Sequence, residues 1–467
     1  MNFSERFWIF DGAMGTMVQD CLPVGEAPET LNITHPDRVL SIHRAYAEAG
    51  AQIVTSNTFG ANRLKYRGKY PLRDVIERGV RLAKQAGTER VALDVGPTGS
   101  LLQPLGNLTV EEAIGIYREQ IEIGVAAGAD FVLIETMTDL LEAKAAVLAA
   151  KDVCDKPIFV SMSFQENSRT FLGVDAASAA VTLSSLGASA VGMNCSLGPR
   201  ELLPTVRTFL QYASVPVFVQ PNAGLPVIQN GETVYTVTPE AFADAAAQML
   251  DMGVSVVGGC CGTTPDHIRA LRAEADSRTP RPAQPFDGAA VSSASRCVPL
   301  DGKTVVIGER INPTGKKKLQ AALRAMDVEY VLGEAIAQKK AGAEILDVNA
   351  GLPDIDEAAT LSRLVDEIQT VSDLPLQIDS ADPETLERAV RRYRGKPIIN
   401  SVSGKAASME TILPIAKRYG AAVVGLTLDE NGIAPTAEAR FAVAEKIVRT
   451  AESMGIPRKD ILIACLD

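Results

Sequence analysis

The stretch Gly258-Gly259-Cys260-Cys261-Gly262-Thr263-Thr264 closes the apolar run 254–257 with two adjacent cysteines. Side chains alternate along a regular strand, so neighbours cannot both face one way. The flanking glycines free the backbone to leave the strand and aim both sulfurs at one point. A third cysteine, Cys195, ends the run Ala190-Val191-Gly192-Met193-Asn194-Cys195. Three thiolates suit a zinc ion whose fourth position stays open to water or substrate. Each cysteine alone reads equally well as a small buried hydrophobe, and the adjacent pair as chance; all three at strand ends favour the metal. A free alkyl thiol with a pKa of about 8.5 is mostly protonated at neutral pH. Coordinated to zinc it deprotonates without a protein base. Three cysteine thiolates also load the metal with negative charge, which suits alkyl transfer to sulfur better than hydrolysis. No HExxH pattern occurs, and His35, His43 and His267 sit outside metal-ligand spacing; His43 reads as an ordinary helix residue.

The elements that must position these sulfurs follow a repeat: a β-branched run, a polar loop, an amphipathic helix, then Gly-Ala or a variant. Glycine there is the expected helix C-cap before a strand. Eight strands are expected at 8–12, 52–57, 90–96, 131–136, 157–164, 190–195, 216–222 and 254–259. Their near-continuous apolar character fits parallel strands covered on both faces. The fold class is α/β, and residues 1–276 are expected to form a (β/α)8 barrel with its chemistry at the C-terminal strand ends. Thr109-Val110-Glu111-Glu112 has capping-box spacing, and Thr238-Pro239 marks another helix start. Residues 277–303, rich in Pro, Ser, Ala and Gly, read as an interdomain linker. The pattern then restarts, with strands expected at 304–312, 344–351, 376–380, 397–401, 421–429 and 461–467. A closed barrel needs two more, so residues 304–467 are expected to be a second barrel truncated after about its sixth strand, and the chain a fragment.

Polar residues mark the strand ends. In the first barrel these are Asp11, Asn57, Asp94, Glu135, Asn194, Cys195, Asn222, Cys260 and Cys261. Any single one can simply satisfy loop backbone groups. Asp11 and Glu135 can accept hydrogen bonds from a substrate ammonium, and backbone N–H groups near Gly12 can hold its carboxylate, so an amino acid is the expected substrate. In the second barrel, Gly308-Glu309-Arg310-Ile311-Asn312, Asp347-Val348-Asn349-Ala350-Gly351, Ile378-Asp379-Ser380, Asn400-Ser401-Val402-Ser403-Gly404 and Cys465-Leu466-Asp467 bring carboxylates and amides to strand ends. Such groups suit a flat heterocycle with a fused donor/acceptor edge, such as a pterin.

Asp11-Gly12-Ala13-Met14-Gly15-Thr16, Thr55-Ser56-Asn57-Thr58-Phe59-Gly60, Gly192-Met193-Asn194-Cys195 and Gly258-Gly259-Cys260-Cys261-Gly262-Thr263 together resemble the homocysteine S-methyltransferase barrel, in that family's order. The resemblance implies zinc held by Cys195, Cys260 and Cys261, with the homocysteine sulfur as incoming ligand. It also implies Asn222 as a zinc ligand in the substrate-free state, and Asp11 and Glu135 as contacts to the homocysteine amino group. The second half resembles the pterin-binding barrels of dihydropteroate synthase and the methyltetrahydrofolate methyltransferases. That resemblance implies Asp379, Asn400 and Asp467 around the pterin, with Glu309, Asn312 and Asn349 nearby. The family's seventh-strand asparagine lies past residue 467, so the folate site is expected to be incomplete.

The two barrels in this order resemble the N-terminal half of the cobalamin-dependent methionine synthase family, a methyltransferase enzyme family. The resemblance implies 5-methyltetrahydrofolate as methyl donor, and methylcobalamin as carrier on a module absent here and supplied in cis or in trans. Three alternatives remain: a cobalamin-independent homocysteine methyltransferase using betaine or S-methylmethionine, a fusion with methylenetetrahydrofolate reductase, and a non-enzymatic zinc-thiolate or folate binder. The second barrel's pterin-like pattern counts against the first two.

Composition narrows the class. With 46 Lys and Arg against 57 Asp and Glu, the 467-residue chain carries a formal charge of −11, which argues against nucleic acid as main partner. Seven cysteines in so long a chain are no disulfide framework. No cationic-then-apolar leader opens the sequence, and no apolar run reaches membrane-spanning length. The cytosol is the expected compartment.

Overall fold

The computed structural model describes residues 3, 5–23, 25–229 and 232–466. The chain divides into two compact units, residues 1–286 and 287–467.

In the first unit the strands are β1 (Trp8–Ile9), β2 (Ile53–Thr55), β3 (Arg90–Val95), β4 (Phe131–Met137), β5 (Ile158–Met162), β6 (Ala190–Asn194), β7 (Val217–Gln220) and β8 (Val256–Val257). All pair in parallel, β2 through β7 in sequence order, with β8 lying between β7 and β1. The ring closes where Phe10 bridges Ile53, with the Asp11 N–H donating to the Ile53 carbonyl at 2.9 Å. Closure leaves no sheet edge, and the inward positions can be filled with large side chains. Phe10, Phe131, Phe159 and Phe218 share that interior, the rings of Phe131 and Phe159 lying 4.8 Å apart. The helices between strands start as their sequence dictates. Thr109 and Glu112 form a reciprocal capping box at the head of helix Val110–Ala126, and Thr238 caps helix Pro239–Met252.

The expected last strand, 254–259, shortens to β8, past which Gly258 and Gly259 donate single backbone bonds to the Val219 and Asp11 carbonyls, each at 3.0 Å. Both lie too close to neighbours for any side chain: one at Gly258 would strike Phe10, one at Gly259 would strike Thr263. That close approach delivers Cys260 and Cys261 to the barrel mouth.

Residues 277–303, read from composition as an interdomain linker, carry some structure of their own. Up to Phe286 they dock on the first unit: the Phe286 N–H donates to the Ala213 carbonyl at 2.8 Å and its ring meets Tyr212. Beyond it, Ala290–Ser292 and Cys297–Pro299 form an antiparallel hairpin. Val291 and Val298 enter a cluster with Ile345, Ile398 and Ala422, each the first residue of its strand or nearly so, and so cover the N-terminal end of the second sheet. Tyr393 clamps the hairpin by donating to the Ser292 carbonyl at 2.8 Å. Strands of three residues are too short to show a period of two, so composition alone pointed to a loop.

In the second unit β9 (Ile307–Ile311), β10 (Ile345–Asn349), β11 (Leu376–Asp379), β12 (Ile398–Ser403), β13 (Ala422–Leu426) and β14 (Ile461–Ala464) form a six-stranded parallel sheet in sequence order. The units are of the tandem TIM-barrel type, with an eight-stranded parallel ring in the first and a six-stranded parallel sheet in the second. No helix among the described residues is long and apolar enough to cross a membrane.

Candidate functional site

Three successive strand ends of the first unit are stitched together by backbone hydrogen bonds. The Cys195 N–H donates to the Gln220 carbonyl at 3.1 Å, Asn222 N–H to Leu197 at 3.0 Å, and Cys260 N–H to Pro221 at 2.8 Å. Cys195 and Ser196 turn through the left-handed region, with φ of +61° and +58°, which swings the Cys195 sulfur off its strand. The result brings Cys195 to a pair that lies 65 and 66 residues further along the chain: the sulfurs of Cys195, Cys260 and Cys261 all lie within 4.8 Å of one another. Cys195 and Cys261 are 3.9 Å apart. A tetrahedral zinc with bonds of about 2.3 Å spaces its sulfurs by about 3.8 Å, so the donor set has the right chemistry and size.

Two further observations bear on that fit. Hydrogen bonds from Cys195 and Cys260 hold the Cys261 thiol far down, at about 3, while Cys260 is pushed up by its bonds to Cys195 and Cys261. Close sulfurs that favour a thiolate among them are a donor set that a bound cation would stabilise. Asn222 is buried, and its Oδ1 has no hydrogen-bond partner among the described residues. A buried acceptor left without a donor is costly, and a metal ion is one way to satisfy it.

A cavity of about 890 Å³ opens beside the sulfurs, lined by Asp11, Gly12, Asp94, Glu135, Cys195 and Cys260 among others. Burial pushes Asp11 up to about 7, although both its oxygens accept from Thr55, one from N–H and one from Oγ1, each at 2.9 Å. Glu135 rises to about 8, through burial first and then the proximity of Cys195 and Asp11. At Gly12 a side chain would strike Thr263 and Tyr46, and the next residue's N–H donates to Thr263 Oγ1 at 3.2 Å. The Asp11–Ala13 turn is thus fixed against the Cys260–Cys261 loop.

The other strand-end amides have structural partners. Asn57 donates to the Pro28 carbonyl and Asn32; Asn194 accepts from the Thr136 N–H and Ser161, its Nδ2 standing 3.9 Å from the Cys260 sulfur. Asn194 therefore orients the loops that carry the sulfurs. His267 closes a helix N-terminus, its Nδ1 facing the Thr264 N–H at 3.2 Å. Tyr235, which sequence reading passed over, hydrogen-bonds Cys261 and lies against Gly262. It sits just past an antiparallel hairpin, Val227–Gln229 paired with Glu232–Val234, where neither motif nor periodicity marks it.

In the second unit the expected residues line up across three strand ends. Asn349 is the register partner of Asp379, and Asp379 of Asn400. Burial, then the charge of Asp347, pushes Asp379 up to about 6. Asn400 Nδ2 donates to Asp347 Oδ1 at 3.2 Å, Gln377 Nε2 donates to the same oxygen at 2.6 Å, and Oδ2 of this buried carboxyl has no partner among the described residues. Glu309 is exposed and paired with Lys316 at 3.1 Å; Asn312 Oδ1 accepts from the Thr314 N–H. Asp467 lies outside the described residues.

Residues 8–275 match the family model described as homocysteine S-methyltransferase, and residues 308–466 that described as pterin binding enzyme. The methionine synthase of Mycobacterium leprae (strain TN) is 35% identical over 503 residues, covering 100% of this chain and 42% of the relative. That of Mycobacterium tuberculosis (strain ATCC 25618 / H37Rv) is 34% identical over 497 residues, covering 99% and 41%. The chain thus spans less than half the length of these curated relatives. Among solved structures, the homocysteine methyltransferase MmuM of Escherichia coli, oxidized form, aligns with a TM-score of 0.50 at 23% identity, over 57% of this chain and 95% of that one, a likeness of fold.

Proposed function

The chain belongs to the homocysteine S-methyltransferase family, and on that premise we propose that its first unit binds homocysteine and presents the thiolate for methylation. The second unit, on the same reading, holds 5-methyltetrahydrofolate, whose methyl group reaches homocysteine by way of cobalamin on a module in cis or in trans. The observation that carries this is the convergence of three cysteine sulfurs within 4.8 Å at the mouth of a closed barrel.

Cys195, Cys260 and Cys261 would hold zinc, with Asn222 as a further ligand in the absence of substrate. Zinc bound there supplies the Lewis acidity that lowers the pKa of an incoming thiol. The chain's own residues do the rest. Asp11 and Glu135, whose charged forms are disfavoured in the cavity, regain them when an ammonium group arrives between them. The segment at Gly12 would offer its own backbone N–H to the amino acid's carboxylate, and the Ala13 N–H, donated to Thr263, fixes that segment to the cysteine loop. Asn194 keeps the β4 and β6 ends in register behind the sulfurs. In the second unit, Asp379, flanked by Asn349 and Asn400, would face the donor and acceptor edge of a pterin, with Glu309 and Asn312 nearby. Free cysteines at the site suit a reducing compartment, the cytosol.

Zinc-loaded protein supplied with homocysteine and free methylcobalamin tests the reading. Methionine is the expected product. Methionine formed from betaine or S-methylmethionine instead would favour a cobalamin-independent enzyme, and no product from any donor would leave only a binding protein.

A further inference from the structure

We propose that Asp94 is a substrate-binding residue of the first unit, receiving the α-ammonium of the amino-acid thiol and making the site select thiols that carry an amino group. The proposal rests on the reading of this cavity as a homocysteine site.

Asp94 lies near the C-terminal end of β3 and lines the same cavity as Glu135, Cys195 and Cys260. It is 8% exposed, and its Oδ1 is buried without a hydrogen-bond partner among the described residues. The backbone around it is held fast. Its N–H donates to Ser56 Oγ at 3.1 Å, and its carbonyl accepts from Thr58 Oγ1 at 2.8 Å and Gln120 Nε2 at 3.1 Å. Those partners are themselves buried, so the backbone that carries the carboxyl is fixed.

Its neighbours differ in a telling way. Both oxygens of Asp11 already accept from Thr55. Glu29, another buried carboxyl of the cavity, is committed to the Gly60 N–H at 2.5 Å. Asp94 has kept an acceptor free, at a cost that a native structure rarely carries without use. What faces it is mostly acidic: after burial itself, Glu135, Glu29 and Asp11 push its carboxyl well above the usual range, while Lys65 opposes them. The complement to such a surround is a compact cationic donor. An ammonium group presents three N–H donors, and Asp11, Glu135 and Asp94 supply acceptors around one cavity. Asp94 therefore adds an interaction that a thiol without an amino group cannot make.

The test is calorimetric binding of homocysteine and of its desamino analogue, 4-mercaptobutanoate, to zinc-loaded wild type, Asp94→Asn and Asp94→Val. Asn keeps the shape of the side chain, and Val keeps its bulk without a polar atom. A lost hydrogen bond to a charged group corresponds to at least about tenfold in affinity. Val should lose that factor for homocysteine and Asn, which keeps an acceptor oxygen without the charge, a smaller part of it; both should bind 4-mercaptobutanoate within about twofold of wild type and retain full zinc. Equal losses for both ligands would make Asp94 a structural residue and overturn the proposal, as would an unchanged preference for homocysteine. Wild type that binds neither ligand would overturn the homocysteine reading itself, and the assignment of Asp94 with it.

Discussion

The two units place polar residues at the ends of their strands but bury them to different degrees. In the first, the ring of strands is closed and the groups at its mouth are desolvated: Asp11 is 3% and Asp94 8% exposed, and burial lifts the carboxyls there above their ordinary range. In the second, the row Asn349–Asp379–Asn400 is half-buried, Glu309 is exposed, and the outer strands β9 and β14 are mostly half-exposed or exposed. A closed, low-dielectric mouth concentrates unfavourable charge that a small zwitterion and a metal can relieve. A shallow row of neutral amides and one carboxyl offers hydrogen bonds along an edge, which suits a flat ring. On the proposed reading, the same architecture would suit a compact charged ligand in one unit and a planar one in the other.

The most drastic way to break that contrast is at the metal. Cys260→Ala should abolish zinc retention and lower homocysteine methylation by at least about 1,000-fold, since removal of one thiolate from a three-sulfur set removes much of the binding energy. Circular dichroism should be unchanged, and full zinc content in the purified variant would contradict the assignment. Next in size is the second unit's buried ion pair, Lys396 Nζ to Asp460 Oδ1 at 2.5 Å, with side chains 3% and 6% exposed. Lys396→Met leaves Asp460 buried and unpaired, a loss of about 3–5 kcal/mol. Denaturant unfolding should then show the second unit melting earlier with zinc retention in the first unaltered; simultaneous loss of both would mean the units are not energetically separate.

A smaller effect sharpens the ligand side of the comparison. Asp379→Ala should weaken 5-methyltetrahydrofolate binding by about 10- to 100-fold in calorimetry while homocysteine binding stays as in wild type. Smallest is a pH effect confined to the first unit. His43 is fully buried, neither ring nitrogen has a partner among the described residues, and burial lowers its pKa from 6.5 to about 4. The unfolded chain therefore binds the proton first as pH falls, and stability present above 6.5 is lost between there and about 4, by about 2 kcal/mol from neutrality to about pH 5. His43→Leu should flatten that slope, measured as the unfolding midpoint against pH; an unaltered slope would assign it to other groups.

Much of this was legible in the residues because it is carried locally. The cysteine motifs sit at the ends of apolar runs, and glycines mark where the backbone departs, so strand order alone brings Cys195 to the pair. The strand-end row of the second unit follows likewise from one residue per strand in parallel register. What escaped the sequence depends on pairings between distant segments. Nothing in Thr55 says that it will occupy both oxygens of Asp11, and nothing in Asp94 says that its own oxygen will be left free. Tyr235 reaches Cys261 from a loop with no repeating pattern. The hairpin at 290–299 hides in a Pro- and Ser-rich stretch because two valines suffice to anchor it. His267, adjacent to an acidic residue, turns out to cap a helix.

The most direct measurement is X-ray absorption at the zinc edge of the metal-loaded protein, before and after adding homocysteine. Three sulfurs at about 2.3 Å with one lighter neighbour, becoming four sulfurs when homocysteine binds, is the result expected of a site that takes the substrate's own sulfur onto the metal. Fewer than three sulfurs at the outset, or a coordination shell that homocysteine leaves unaltered, would contradict it.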